Sequence, residues 1–382
     1  MMLRKYVYPE VVYGEDARSM IGQYVQNIGL RKPLVVTDEG LVEAGWLKDL
    51  IERLHDDGIS YEVFKDVVIN PTGENVTDGV RLYRDAGCDG IIALGGGSPI
   101  DCAKGIGILA KNQGSIFAYN GVDKISHPGP PLISLPTTAG SAADVSQFAI
   151  IRDTQEKVKF AIISKMLVSD VSLVDSKYLL TLDEENTIHT GIDALSHAIE
   201  ALLSTGSSEL TDMHAAKAIE LVRDNLHLCL QHPGNLVYRD NLHFASMLAG
   251  FAFSNASLGV IHAISHGMGG YTNLSHGFVN AALLMSAVRF NYEMNDSFIR
   301  LSRSLGAKDA SRDGIIDALE NLLVGVGFRR QSMQGLDIDE DALERIASAS
   351  LHDPCILTNP THVTKEDIQK IIRESFSDHG NG

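Results

Sequence analysis

Along the first half of the chain, short apolar runs alternate with segments of helical spacing. Lys32-Pro33 leads into a β-branched run at 34–37, residues 44–56 are amphipathic at the helical period, and 61–64 reads as a strand again. Residues 76–86 have helical spacing, and the apolar run 90–94 ends in three glycines. Further strand candidates are 132–135 and 171–174. Short, continuously apolar strands separated by helices predict a parallel sheet covered on both faces. From about Glu184 the strand-like runs stop. Helical patterns take over at 187–203, 208–225, 237–253, 313–326 and 341–348, and Thr364 with Asp367 three residues later predicts a capped helix start. The pattern thus predicts an α/β domain over 1–183 and an all-helical domain over 184–382.

Composition narrows the class. The chain has 382 residues, 49 of them acidic and 32 basic, for a formal net charge of −17. That length suits two domains with a large core. An acidic excess argues against nucleic acid and anionic lipid as partners, because phosphate-rich surfaces need surplus Lys and Arg. No signal-peptide-like apolar run opens the chain, so a cytoplasmic location is expected. From Phe244 to Val288 there is no Asp, Glu, Lys or Arg. Yet His262, His266, His276, Asn255 and Asn280 interrupt it, which a lipid-facing span would not tolerate. The stretch predicts a buried core, not a membrane segment. The four Cys form no CxxC, which excludes a thiolate zinc site and a disulfide framework.

Two loops carry the chemistry of anion binding. The strand at 90–94 runs through Gly95, Gly96 and Gly97 into a helix expected to open at Ser98 or Pro99. Glycines let a backbone approach a phosphate, and a helix N-terminus offers free N–H groups and partial positive charge. The loop is neither GxGxxG nor GxxxxGK[ST], so the class of phosphate ligand stays open. A second segment, Pro136-Thr137-Thr138-Ala139-Gly140-Ser141, follows another strand and suits a ribose or pyrophosphate. Asp38, at the end of an early strand, either caps the next turn or accepts a ribose 2′-hydroxyl. In the second role it would repel a 2′-phosphate and favour NAD.

Asp193 and His197 stand four apart, on one face of a predicted helix, and His262 and His266 repeat that spacing. His276 follows after a Gly-Gly turn. A carboxylate and several imidazoles on facing helices, three of the His in the uncharged stretch, make a nitrogen/oxygen site for Fe²⁺ or Zn²⁺. Spacing leaves open whether His262 or His266 is the ligand. No activated Cys and no Gly-x-Ser-x-Gly elbow is present, so covalent catalysis has no support.

Taken together, GGGSPIDCAK (95–104), PTTAG (136–140), GIDALSHAIEA (191–201), FSNASLGVIHAISHGMGG (253–270), the NPT triplet at 70–72 and the DPC…TNP run at 353–360 resemble the iron-containing, or group III, alcohol dehydrogenases. The resemblance spans nearly the whole chain. It implies an N-terminal dinucleotide-binding α/β domain, an all-α C-terminal domain of the dehydroquinate synthase-like fold, and a site in the cleft between them. It maps metal ligands to Asp193, His197, His262 and His276, and a proton-relay role to His266. Cofactor contacts map to Asp38, Asn70, Gly96, Gly97, Ser98, Asp101, Thr137, Thr138 and Lys159. Two departures stand out: Ser141-Ala142-Ala143-Asp144 replaces the common Thr-Gly-Ser-Glu, and Ser275-His276-Gly277 replaces Pro-His-Gly.

The implied reaction is NAD- and metal-dependent interconversion of a small primary alcohol and its aldehyde, with Fe²⁺ preferred and Zn²⁺ the alternative. A reductase dedicated to a functionalised aldehyde (lactaldehyde, 3-hydroxypropanal, sulfoacetaldehyde) is the second reading. A lyase of the dehydroquinate synthase type ranks below both, because the uncharged stretch offers no Lys or Arg for a phosphorylated acid. Relatives of this kind lead one to expect a homodimer or larger homo-oligomer.

Overall fold

Apolar runs that are β-branched or leucine-rich become the strands of a sheet in the computed structural model, which describes residues 5–272, 274–329, 336 and 338–377. The strands are β1 (Glu10–Tyr13), β2 (Pro33–Val36), β3 (Glu62–Phe64), β4 (Gly90–Gly95), β5 (Gly121–Val122), β6 (Leu132–Pro136), β7 (Phe148–Asp153), β8 (Val158–Ile163) and β9 (Val171–Val174). Between them lie helices α1 (Ile21–Ile28), α2 (Glu39–Glu43), α3 (Trp46–Asp56), α4 (Gly73–Asp85) and α5 (Gly97–Lys111). Six strands pair in the order β1-β9-β6-β4-β2-β3, every pair parallel. A separate three-stranded sheet, β5-β8-β7, was not expected from the sequence pattern.

Alternation along the strands sends side chains to both faces. Leu34, Val36, Ile91 and Ala93 pack with Val76 and Val80 of α4 and Ile100 and Ile106 of α5. Val35, Ile92, Leu94 and Ile133 pack with Ile21 and Val25 of α1 and Leu50 and Leu54 of α3. The helices that follow β2 and β4 therefore cover opposite faces. The carboxyl ends of these two neighbouring strands form a topological switch point, where open α/β sheets bind ligands.

One boundary is corrected. Helix α5 opens at Gly97 with Gly96 as its N-cap, not at Ser98 or Pro99. Ser98 is held inside the first turn, where its Oγ accepts from the Asn70 N–H at 3.1 Å. Pro99 packs so closely beneath Gly95 that a Cβ there would fall 2.4 Å from its ring. The cap position is consequently bare backbone with no capping side chain.

Contacts divide the chain into two compact units. One holds the residues up to Gln155 together with Phe160–Leu182, and the other holds Glu156–Lys159 with the residues from Asp183 onward. The second unit comprises α6 (Glu184–Leu203), α7 (Glu209–Gln231), α8 (Leu236–Ala256), α9 (Val260–Met268), α10 (His276–Asn291), α11 (Asp296–Leu305), α12 (Arg312–Gly325), α13 (Glu340–Leu351) and α14 (Lys365–Ser375). Helices α6, α7 and α8 pack on one another, and α9 packs on α10 and α13. Thr364 and Asp367 form the expected capping box at α14. The uncharged stretch becomes the end of α8, then α9 and most of α10, nearly all of it buried. Among the described residues no single helix is long and apolar enough to cross a membrane; α8 and α9 pass such a test only as a pair bent by 98°.

Candidate functional site

Asp193, His197 and Glu200 occupy positions i, i+4 and i+7 of α6, so one buried stripe of that helix presents all three. Helix α9 brings His262 against the stripe, and His276, the first residue of α10, completes a group of four. Potential ligand atoms of Asp193, His197, His262 and His276 all lie within 4.8 Å of one another. Asp193 Oδ1 is 3.8 Å from His197 Nδ1, 3.9 Å from His262 Nε2 and 3.8 Å from His276 Nε2. The edge of a tetrahedron with ~2.1 Å bonds is about 3.4 Å, so the three distances to Asp193 need only a slight contraction to suit a shared ion. His266, the other candidate raised by spacing, falls outside this group.

The electrostatics suit a cation. Burial alone would raise the Asp193 carboxyl, but the surrounding imidazoles hold it well below the usual carboxylate range. Burial also disfavours a charged His262, yet the nearby carboxylates of Asp193 and Glu200, the second hydrogen-bonded to the ring, outweigh it and push that imidazole up to about 9. Burial drives His276 well below its ordinary value, leaving a neutral ring with a lone pair to give. A further sign comes from Asn280, one turn beyond His276. Its Nδ2 lies 2.7 Å from Asp193 Oδ1, 3.1 Å from His262 Nε2 and 3.3 Å from His276 Nε2. One carboxylate oxygen and two imidazole nitrogens thus converge on one electropositive atom, while Asn280 Oδ1 is buried without a hydrogen-bond partner among the described residues. The residues present fit a divalent metal.

Each facing ring is steered from behind. His262 Nδ1 is 2.7 Å from Glu200 Oε2, and His276 Nδ1 is 2.8 Å from the Ser265 hydroxyl. The departure at Ser275 adds a cap, because its Oγ accepts from the Phe278 N–H at 3.2 Å and lies 3.0 Å from His189 Nδ1. Gly277 has no alternative, since a Cβ there would sit 2.2 Å from the His189 carbonyl oxygen.

His266 stacks on His276 with ring centroids 5.5 Å apart, and its Nδ1 lies 2.8 Å from Asp353 Oδ2. The other Asp353 oxygen accepts from the Cys355 N–H at 2.8 Å. Burial raises the Asp353 carboxyl, but His266 and these donors hold it below its ordinary value. Burial pushes the Cys355 thiol well up. With no metal bound, the cluster is therefore a His–Asp pair next to a neutral thiol.

Most of the remaining candidates gather at the carboxyl ends of β2, β4 and β6 in the first unit. Asp38 caps α2, its Oδ1 accepting from the Leu41 N–H at 3.0 Å, and burial pushes its carboxyl up. The Thr137 N–H donates to the Gly95 carbonyl at 3.0 Å, which ties the two candidate loops together. A Cβ on Gly96 would lie 3.0 Å from the Thr138 side chain, and one on Gly97 3.0 Å from Ser141. This cradle stays open only because both are glycine, and it exposes the N–H groups of an uncapped helix start, which suits a pyrophosphate. Asn70, at φ 60°, is tethered to Ser98 through its N–H. Asp101 faces β7, where its Oδ2 accepts from the Ile150 N–H at 3.1 Å. Asp144, in the departing Ser-Ala-Ala-Asp run, is buried and accepts from the Ser172 hydroxyl at 2.6 Å. Lys159 belongs to the second unit, where its side chain fills the space beside Gly269 at the end of α9.

Sequence reasoning did not assign Glu200, Ser265, Asn280 or Asp353 to the site. Glu200 was detectable, since 193, 197 and 200 share a helix face, and so was Asn280, four residues after His276. Asp353 was not, because it meets His266 across 87 residues.

The chain matches the iron-containing alcohol dehydrogenase family over residues 9–176 and that family's C-terminal domain over 187–376. It is 35% identical to 1,3-propanediol dehydrogenase of Citrobacter freundii, over 97% of this chain and 98% of that protein. It is 31% identical to NAD-dependent methanol dehydrogenase of Bacillus methanolicus, over 98% and 100%. Sulfoacetaldehyde reductase of Bifidobacterium kashiwanohense in complex with NAD⁺ superposes with a TM-score of 0.88 at 27% identity, covering all of both chains. With both domain types matched in order and a His/Asp metal-compatible group in the second, the chain belongs to the iron-containing alcohol dehydrogenase family and is an NAD-dependent oxidoreductase of that family.

Proposed function

We propose that the protein interconverts a small primary alcohol and its aldehyde, with NAD as hydride carrier and Fe²⁺, or alternatively Zn²⁺, at Asp193, His197, His262 and His276. The convergence of those four donors carries the reading. When bound, the metal supplies Lewis acidity that polarises the alcohol or carbonyl oxygen, and NAD exchanges a hydride with the substrate carbon. The protein's own residues do the rest. Asp193 stays ionised and lends the centre its negative charge. Glu200 and Ser265 steer the His262 and His276 rings. Asp353 engages His266 Nδ1, which leaves Nε2 as the atom that takes up and returns the proton. The glycine cradle at Gly96 and Gly97, with Thr137 and Thr138, holds the pyrophosphate, and Asp38 selects a free ribose 2′-hydroxyl over a 2′-phosphate. We assign Asn70, Ser98, Asp101 and Lys159 to support of the same cofactor.

The relatives named above act on propanediol, methanol and sulfoacetaldehyde, all small molecules, which supports a short substrate without choosing one. The test is an aldehyde-reduction screen on protein of measured Fe and Zn content, following loss of reduced-nicotinamide absorbance with NADH and NADPH in parallel. Turnover of short aldehydes with NADH in preference to NADPH is expected. Metal-replete protein that turns over no aldehyde or alcohol with either cofactor would overturn the reading.

A further inference from the structure

Glu200 is 4% exposed, yet four donors converge on its carboxylate. Oε2 accepts from the Gly259 N–H at 3.0 Å and the His262 N–H at 3.4 Å, and Oε1 accepts from the Ile261 N–H at 2.6 Å. The fourth contact is His262 Nδ1, 2.7 Å from Oε2. The Val260 N–H, which would otherwise be left over, donates to Asn359 Oδ1 at 3.1 Å. A helix start leaves its first N–H groups without partners, and no side chain of its own caps α9. A carboxylate from α6 does so instead. The chain is pressed onto it so closely that a Cβ on Gly259 would lie 2.9 Å from Glu200 Oε1 and 2.8 Å from Asn359 Oδ1.

One side chain thus joins three things: the stripe of α6 that bears Asp193 and His197, the first turn of α9, and the ring of His262. We propose that Glu200 is the positioning residue of the metal centre: it anchors the start of α9 and, by accepting the His262 Nδ1 hydrogen, fixes Nε2 as the atom that faces the metal. The proposal rests on the reading that the four-residue group binds a divalent metal. A carboxylate behind a ligating imidazole sets its tautomer and orientation and raises its basicity. Glutamine at this position keeps the length but has one acceptor oxygen instead of two. With that oxygen in the place of Oε1 it keeps only the Ile261 N–H and turns a donor towards Nδ1, which favours the tautomer with hydrogen on Nε2 and blocks the lone pair meant for the metal. With the oxygen in the place of Oε2 it keeps Nδ1 but sets a donor against the Ile261 N–H and removes the negative charge that makes the ring a basic ligand.

The experiment measures Zn²⁺ affinity of the metal-free full chain by competition with a chromogenic chelator, together with the Tm of the same metal-free samples. Glu200→Gln is expected to weaken Zn²⁺ binding by about 10–100-fold. A Glu200→Gln protein that melts earlier but binds Zn²⁺ as the unaltered chain does would show a helix anchor only, and would overturn the proposal. His262→Ala serves as the control: if it too binds Zn²⁺ normally, the metal reading itself has failed, whereas weak binding by His262→Ala with normal binding by Glu200→Gln sinks the Glu200 role alone. Should Glu200→Gln not fold, histidine-selective ¹⁵N NMR of the Zn²⁺-loaded unaltered chain decides. A His262 hydrogen on Nδ1 supports the proposal, and one on Nε2 overturns it.

Discussion

At Gly277 a single hydrogen separates a working site from a blocked one. The residue follows His276 at the start of α10, and its α-carbon faces the His189 backbone so closely that a Cβ would lie 2.2 Å from the carbonyl oxygen. Backbone cannot swing aside as a flexible side chain would, so Gly277→Ala must shift α10 away from α6. Overpacking of this kind costs about 1–3 kcal/mol, and the displaced residue next to it is a candidate ligand. Gly277→Ala is expected to lower the Tm and the metal retained after dialysis together, both readable on one preparation. Unchanged metal content in a destabilised variant would place His276 outside the centre. Asp193 and His197 were legible in the sequence because a four-residue spacing on a helix is a local geometric fact. The choice between His262 and His266 was not, because both lie on one face of α9 and only tertiary packing separates them. Asp353 and Asn359 reach α9 from far along the chain, and no pattern in the sequence announces such contacts.

Among the elements, the parallel strands of the large sheet and the amphipathic helices were readable because burial on two faces, or on one, leaves a clear period. The second sheet was missed: β5 has two residues, and β7 and β8 alternate weakly between apolar and polar positions. Helices α9 and α10 lacked boundaries for the opposite reason. They are buried nearly all round, so no polar stripe marks where they begin, and the break after α8 is made by Ser257 at φ 64° and by the Glu200 anchor. Helix α8 carries a testable consequence of such burial. His243 lies in its interior face, and burial pushes its imidazole down to about 4. The unfolded chain would bind that proton near the ordinary 6.5. Above that pH both states are neutral and the full stability is present; as pH falls towards 4 only the unfolded chain is protonated, and stability is lost. The loss approaches about 3 kcal/mol at the lower end. Urea titrations of the unaltered chain and of His243→Gln between pH 7 and pH 4 should differ by a gap that narrows as the pH drops. A constant gap would mean that His243 does not titrate in this window.

On the scale of the whole molecule, charge and chemistry are segregated. The −17 net charge comes from side chains that are mostly solvated, whereas His262, His266 and His276 come from a stretch with no acidic or basic residue before Arg289. The division into units is equally sharp. All four candidate metal ligands lie in the second unit, on α6, α9 and α10, while the glycine cradle and Asp38 lie in the first. A ligand that binds only the folded state stabilises what it binds, by about 2.7 kcal/mol when free ligand stands at 100 times its Kd. Metal should therefore act on the helical unit, and NAD mainly on the sheet unit, Lys159 being the one assigned cofactor residue outside it. Hydrogen exchange on the full chain, with metal removed by chelator and then restored, is expected to show protection lost and regained at α6, α9 and α10 and little altered at β2, β4 and α5. Adding NAD to the metal-free chain should protect β4, the start of α5 and the loop after β6. Protection that changed equally in both units on metal removal alone would show that the centre stabilises the molecule as one body, and would refute the assignment of its effect to the helical unit.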